Sequence, residues 1–228
     1  MNTMKSQTLI GLLAVILGVG VARGTLYTET FGGVNTAIPD GNPVGVSFGE
    51  TVSDIPGAST VSGLTVDLSV SGGYNGNLYA YLVAPNGTLV MLLNQPGTTI
   101  SNPFGYGGSG LNVTLSDTAA GSIQTTSEMP GSVFSGSFQA AGTLGAVSGS
   151  AADGTWTLYF VDEVAGSGQA TLNGWSLGIT AVPEPVNLAM IISGTGLVGF
   201  GTIRYFRNTG KSALCSDQII ACAGDRPS

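Results

Sequence analysis

The sequence contains no histidine, and only 8% of its 228 residues are charged. Without an imidazole base, neither a Ser-His-Asp nor a Cys-His catalytic arrangement can form. The usual catalytic zinc sites are excluded for the same reason. All six lysines and arginines lie towards the two ends of the chain, so the central region cannot hold a Ser-Lys dyad either. These absences remove most nucleophilic hydrolases from consideration.

The central region, residues 25–185, is polyanionic. It contains eleven of the thirteen acidic residues and no lysine or arginine. It therefore cannot neutralise phosphates, which excludes nucleic acid as a partner. Each carboxylate must be hydrated, hydrogen-bonded or bound to a metal ion, because burying an unpaired charge is costly. The only cysteines, Cys215 and Cys222, lie beyond this region, so its stability must come from core packing rather than disulfides.

Residues 1–24 have the pattern of a secretory signal peptide. Lys5 supplies the positive charge, residues 8–21 form the apolar stretch, and Ala22-Arg23-Gly24 is a small-x-small cleavage site. The alternative is an uncleaved N-terminal membrane anchor. We predict export, with cleavage between Gly24 and Thr25.

A second apolar stretch, residues 186–203, contains no charged residue. As a helix it would be about 27 Å long, enough to cross the hydrocarbon core of a bilayer. Arg204 and Arg207 follow it directly, and positive flanks remain on the cytoplasmic side. We therefore expect an ectodomain at 25–181 facing outward, a transmembrane helix at 186–203 and a short cytoplasmic tail at 208–228.

The ectodomain pattern predicts strands rather than helices. Apolar and polar residues alternate across 64–71, 111–115, 155–160 and 172–179, which is the period of half-buried strands. Asn86-Gly87 between two apolar runs is a strong hairpin signal, since both residues tolerate positive φ. We predict an all-β, jelly-roll-like β-sandwich of eight or nine strands. Two long polar loops, 97–110 and 118–131, are the segments where we expect recognition.

The two tryptophans, Trp156 and Trp175, alternate with leucine and phenylalanine within predicted strands. This placement favours a role in the core, although a sugar-stacking platform is the alternative.

Carboxylates are the remaining chemical groups. A carboxylate pair could serve glycoside hydrolysis, and the nearest candidates are Asp162 with Glu163, or Asp153. Asp162 and Glu163 are adjacent in sequence, however, and would point to opposite faces of a strand. We therefore expect no enzymatic activity. Calcium suits oxygen ligands better, and the candidate ligands near predicted strand ends are Asp117, Asp153, Asp162 and Glu163. The alternative is that Asp117 and Asp162 cap turns by accepting backbone N–H groups.

The order Pro183-Glu184-Pro185, apolar span, Arg204 and Arg207 resembles the PEP-CTERM sorting signal of Gram-negative bacteria. That resemblance implies an exosortase-type membrane protease as a partner, anchoring in the inner membrane before processing, and later delivery to the outer envelope or matrix. It also implies an association with exopolysaccharide, surface proteins and biofilm. One departure is the tail of about twenty residues beyond Arg207, which is longer than that family usually carries.

Within the ectodomain, six motifs resemble those of the P/Homo B domain, the β-sandwich that follows the catalytic domain in kexin-like proteases and proprotein convertases. They include G-x-W-x-L-x-x-x-D at 154–162 and L-x-x-W-x-L at 172–177, and the others lie at 38–46, 74–78, 83–88 and 116–119. The resemblance implies a domain accessory to a serine endopeptidase, with acidic loop residues that help to bind calcium in bacterial relatives. Two expected carboxylates are missing, because Asn77 and Ser167 occupy their positions.

Three functions therefore remain open. The first is a non-enzymatic envelope or matrix module that binds polysaccharide or protein. The second is a protease accessory domain, and the third is a calcium-dependent binding module.

Overall fold

The computed structural model describes residues 23–55 and 59–183. Over these residues the chain forms nine strands and two short 3-10 helices, at Asn75–Asn77 and Leu144–Val147. The strands are β1 (Thr25–Ile38), β2 (Asn42–Val52), β3 (Ser59–Gly72), β4 (Leu78–Val83), β5 (Leu89–Asn94), β6 (Gly110–Ser116), β7 (Phe134–Phe138), β8 (Gly154–Asp162) and β9 (Ala170–Pro183).

The strands form two sheets that pack over one hydrophobic core. The five-stranded sheet has the order β1-β9-β3-β6-β7, and the four-stranded sheet has the order β2-β8-β4-β5. Neighbouring strands are antiparallel except β6 and β7, which are parallel. The predicted all-β sandwich is confirmed.

Alternation along the central strands produces the core. In β3, for example, Val66 and Leu68 are buried while Asp67 between them faces outward. Trp156 and Trp175 are 0% and 3% exposed, so the core interpretation of both tryptophans is confirmed. Full burial of a large apolar side chain contributes about 1.5–3 kcal/mol.

The hairpin between β4 and β5 forms where Asn-Gly predicted it, but with a different backbone conformation. The N–H of Gly87 donates to the carbonyl of Ala84 (2.8 Å), and the N–H of Ala84 donates to Thr88 (2.9 Å). Gly87 has φ +83°, whereas Asn86 is not among the residues with positive φ. Pro85 occupies the second position of the turn, where its ring favours type I or II geometry. The signal located the turn correctly, although only one residue uses positive φ.

Three strands have no clear period in the sequence. Strands β1 and β2 are interrupted by shifts in register, and β7 is a short Ser- and Gly-containing segment with mostly exposed residues. Strands β1 and β2 are held by pairing with strands distant in sequence, β9 and β8, and β7 pairs in parallel with the preceding strand, β6. Such pairing is set by tertiary structure rather than by local pattern.

The two ends of the described chain meet at one end of the five-stranded sheet. Thr25 at the start of β1 pairs with Ala181, and Pro183 at the end of β9 pairs with Ser59. The fold therefore continues two residues beyond the predicted domain boundary at 181, into the proline motif. Most of the predicted signal peptide, the predicted span at 186–203 and the tail lie outside the described residues. Within the described part, no helix is long and apolar enough to cross a membrane.

Substituting Gly45 with alanine should destabilise the sandwich more than the same change at Gly87. Both glycines have positive φ (64° and 83°), which costs an L-residue about 1–2 kcal/mol. A Cβ at Gly45 would also lie 2.1 Å from the carbonyl oxygen of Phe160, whereas at Gly87 it would meet nothing within 4 Å. Urea unfolding of the two variants should differ by more than about 1 kcal/mol, beyond their shared backbone cost. Equal losses would contradict the close approach of Gly45 to the backbone of Phe160.

Candidate functional site

Asp162 ends β8 in a fully buried position. Its Oδ1 accepts a hydrogen bond from the N–H of Val164 (3.3 Å), but its Oδ2 is buried without a partner among the described residues. Burial raises the pKa of Asp162 to about 6; the Val164 bond opposes this, and the negative charge of Asp40 adds to it. A buried oxygen without a partner is costly and calls for an explanation.

Asp40 is brought to the same place by strand pairing. Asn42, at the start of β2, lies opposite Asp162, so the turn before β2 approaches the loop after β8. The Oδ2 of Asp40 accepts from the N–H of Gly166 in that loop (2.9 Å). The sequence did not identify Asp40 as a site residue, because 122 positions separate it from Asp162.

Asn77 and Ser167, the two positions where carboxylates were expected, contact each other. Asn77 is 2% exposed, and its side-chain amide donates to the hydroxyl of Ser167 (2.8 Å) and to the carbonyl of Val164 (3.4 Å). The N–H of Glu163 donates to the carbonyl of Asn77 (3.4 Å). A hydrogen bond between two neutral side chains therefore occupies the place where two carboxylates would have needed a cation to offset their repulsion. We call Asp40, Asn77, Asp162 and Ser167 the loop-end cluster.

The other predicted ligands lie elsewhere in the described structure. Both carboxylate oxygens of Asp117 accept backbone N–H groups, from Leu144 (2.8 Å) and Gly145 (2.7 Å), at the start of a 3-10 helix. Asp153 accepts from the N–H of Ile55 (3.3 Å), and Glu163 is exposed. Across residues 23–55 and 59–183, no three histidine, cysteine or acidic side chains form a group that could hold a metal ion.

The loop-end cluster fits calcium only in part. The ion takes six to eight oxygen ligands. The cluster offers the unpartnered oxygen of Asp162 and the carboxylate of Asp40, while the amide of Asn77 is engaged as a donor. Two carboxylates are therefore the charged ligands available there.

The two loops predicted for recognition are joined to each other. Asn75 is fully buried; it exchanges two hydrogen bonds with the backbone of Gly110 (3.0 and 3.1 Å) and donates to Glu128 (2.8 Å). Burial raises the pKa of Glu128, an effect that hydrogen bonds from Asn75 and the N–H of Gly108 partly offset. The N–H of Gly131 also donates to the carbonyl of Gly107 (2.7 Å). We call residues 97–110 and 118–133 the paired loops.

Large apolar side chains are exposed on these paired loops. Ile100 is fully exposed, and Phe104, Met129 and Val133 are each more than half exposed. Scattered apolar residues are ordinary on a surface, whereas these four all lie on two loops that are hydrogen-bonded to each other. The sequence located the loops, whereas the exposure of these side chains emerged only from the fold.

The predicted sorting residues are only partly described. Gly24 is exposed, Thr25 begins edge strand β1, and Pro183 is the last residue of β9. Glu184, Pro185, Arg204 and Arg207 lie outside the described residues.

Comparisons with known proteins give one family. The family model of the proprotein convertase P-domain matches residues 61–179. No curated protein sequence matches the chain. Two crystal structures of the serine protease of Aeromonas sobria, one in complex with a chaperone, are 18% identical in sequence, with TM-scores of 0.43 and 0.42. They cover 70% and 68% of this chain, which in turn spans only 26% of each protease chain.

Replacing Asp162 with asparagine should change the pH dependence of stability. The pKa of Asp162 is raised from 3.8 to about 6 in the folded protein, so folding favours the protonated carboxyl. Its contribution is fully present below about pH 4 and is lost as pH rises through about 6. Relative to the parent, Asp162→Asn should therefore gain stability between pH 4 and 7. Urea unfolding in chelator-treated buffer measures this, with exposed Glu163→Gln as the control. Parallel curves for parent and Asp162→Asn would contradict the prediction.

Proposed function

Because the chain belongs to the proprotein convertase P-domain family, we propose that it is an exported, non-enzymatic sandwich that acts as an interaction module in the cell envelope or extracellular matrix. The P-domain is an accessory domain rather than a catalytic one, and the sequence has no histidine to act as a base. Six of the eight connections between consecutive strands cross from one sheet to the other, which supports a jelly-roll-like description of the sandwich.

The exposed apolar side chains of the paired loops carry this proposal. In the isolated domain the side chains of Ile100 and Phe104 are hydrated and contribute nothing to stability. Covering them with a partner would remove apolar surface from water, which favours binding by about 25 cal/mol per Å² of buried apolar surface. Hydrogen bonds around Asn75 hold the two loops together, so little ordering would be needed on binding.

Delivery to the exterior is the second part of the proposal. The signal peptide would direct export, and the PEP-CTERM-like signal would place the chain in the membrane for an exosortase-type protease. Both predicted processing points adjoin the sheet end formed by Thr25, Ser59 and Pro183. That end would face the membrane before processing. Exopolysaccharide or surface proteins are the partners we propose for the released module.

Family membership also supports a protease accessory role. In this candidate the domain would dock in trans against a subtilisin-like serine protease. Co-purification of the tagged full chain with such a protease would favour it, and the paired loops would then be the contact surface. Recovery of the chain without any protease would favour the matrix module.

A calcium-dependent module is favoured by one observation, the buried Oδ2 of Asp162 without a partner. A bound cation would satisfy that oxygen and favour the charged carboxylate. Added calcium should then raise the melting temperature of the parent and leave Asp162→Asn unchanged. An equal response, or no response, would remove this candidate.

Changing Pro183-Glu184-Pro185 to Ala-Glu-Ala should keep the protein in the membrane fraction. The parent should appear in a matrix or outer envelope fraction as a shortened chain, because the motif would be read by the processing protease. Fractionation with immunoblotting from the native host measures both location and size. Its control is Pro43→Ala, an exposed proline at the other end of the sandwich. A parent that stays full length in the membrane would contradict the processing proposal.

Replacing Ile100 and Phe104 together with serine should reduce retention in the matrix fraction at least several-fold. These side chains are exposed, so the free energy of unfolding should change by less than about 0.5 kcal/mol. Val44→Ser removes one apolar side chain of β2 whose exposure, 80%, lies between those of Ile100 and Phe104, and it is the control. The proposed contact surface would be refuted if the Ile100/Phe104 double variant, like the Val44 control, were retained in the matrix fraction as well as the parent is.

A further inference from the structure

A depression of about 220 Å³ lies on the outer face of the five-stranded sheet, where Gly32 of β1 pairs with Gly174 of β9. Neither residue has a side chain, so the floor is backbone and the neighbouring side chains form walls. A glycine inside a strand weakens the strand and often marks a place where a ligand approaches closely. The polar wall residues come from four strands: Thr30, Asp67, Ser69, Asn112 and Ser176.

Asp67 is the centre of the hydrogen-bonding groups. The hydroxyls of Thr114 (2.5 Å) and Ser176 (2.6 Å) each donate to one of its carboxylate oxygens. A carboxylate has about four lone-pair positions, so about two remain free to accept further hydrogen bonds. Since the hydroxyl protons of Thr114 and Ser176 both point at Asp67, the lone pairs of these two hydroxyl oxygens can also accept hydrogen bonds. Asn112 is exposed beside them and offers amide donors.

This lining selects among ligand classes. A single carboxylate, with no cation in the lining, disfavours an anion and supplies too few ligands for a divalent metal ion. A purely apolar ligand would leave the remaining lone pairs of Asp67 and the amide of Asn112 without hydrogen-bond partners. The set suits a molecule that carries many hydroxyl donors around a carbon ring.

We propose that this glycine-floored depression binds one sugar residue of a neutral polysaccharide. Its volume lies below the range of about 300–1,000 Å³ that is typical of pockets for drug-sized ligands, so one ring fits and the rest of a polymer remains outside. The open face of the sheet leaves room for the polymer to continue in both directions. The inference rests on the proposed function only for the source of the ligand, a matrix polysaccharide.

Gly32→Leu is the sharpest test of this site. A Cβ at Gly32 meets nothing within 4 Å, and the residue has no positive φ, so the side chain can enter the depression without disturbing the strand. The matched control is Gly49→Leu on the outer face of the other sheet, where the nearest atom to a new Cβ is 3.7 Å away. Asp67→Asn is a second variant that keeps the shape and removes the charge.

Affinity electrophoresis of the full chain in a non-ionic detergent, in gels containing dextran, hydroxyethyl cellulose or alginate, measures the binding. At least one of the two neutral polymers should retard the parent, and anionic alginate should not. Gly32→Leu should weaken binding at least tenfold, Asp67→Asn several-fold and Gly49→Leu less than twofold. Absence of retardation by both neutral polymers, preference for alginate, or parent-like binding by Gly32→Leu would overturn the proposal.

The outcome is separable from that of the proposed function. If Gly32→Leu binds neutral polymer as the parent does, while the Ile100/Phe104 variant is lost from the matrix fraction, the proposed module is supported and the sugar site is refuted. If the parent binds a neutral polymer and Gly32→Leu does not, but the parent is absent from the matrix fraction, the sugar site is supported and the proposed location is refuted.

Discussion

The pairing of β9 with β1 and β3 is the interaction on which the rest of the structure depends. Strand β9 is fourteen residues long and lies between two other strands of fourteen residues, one of them the first strand of the described residues. The ladder can close only after the whole domain has been made, which is typical of slow-forming non-local contacts. It also brings the first and last described strands to one sheet end. With no cysteine in this region, ladder and core provide the stability.

Scarcity of cations is the second constraint. Arg23 is the only lysine or arginine among residues 23–55 and 59–183, so the carboxylates there must rely on N–H and O–H donors. Asp117 accepts two backbone N–H groups, Asp67 two hydroxyls and Asp40 one N–H group. Asp162 and Glu128 are the exceptions, because each has one buried oxygen without a partner among the described residues and a raised pKa. Asp162 also has a second carboxylate, Asp40, close enough to affect its pKa, and this pair makes the loop-end cluster a chemical candidate.

Sequence and structure contributed different parts of the sites. Period-two alternation and the tryptophan placement predicted the central strands and their buried face, since burial acts on each strand locally. The missing carboxylates at Asn77 and Ser167 were visible in the sequence, but their mutual hydrogen bond was not. Asp40 and the Gly32–Gly174 depression were not predictable, because distant strands must pair before these residues become neighbours.

By itself, the sequence determined the all-β class, the polyanionic character and the exclusion of histidine-based catalysis. These follow from composition and local periodicity, which need no knowledge of neighbours in space. Only the tertiary structure decided which carboxylates are paired, which loops join and where glycines leave the sheet open. Each of these depends on register between strands far apart in the chain, and a shift of one residue would turn every side chain to the other face.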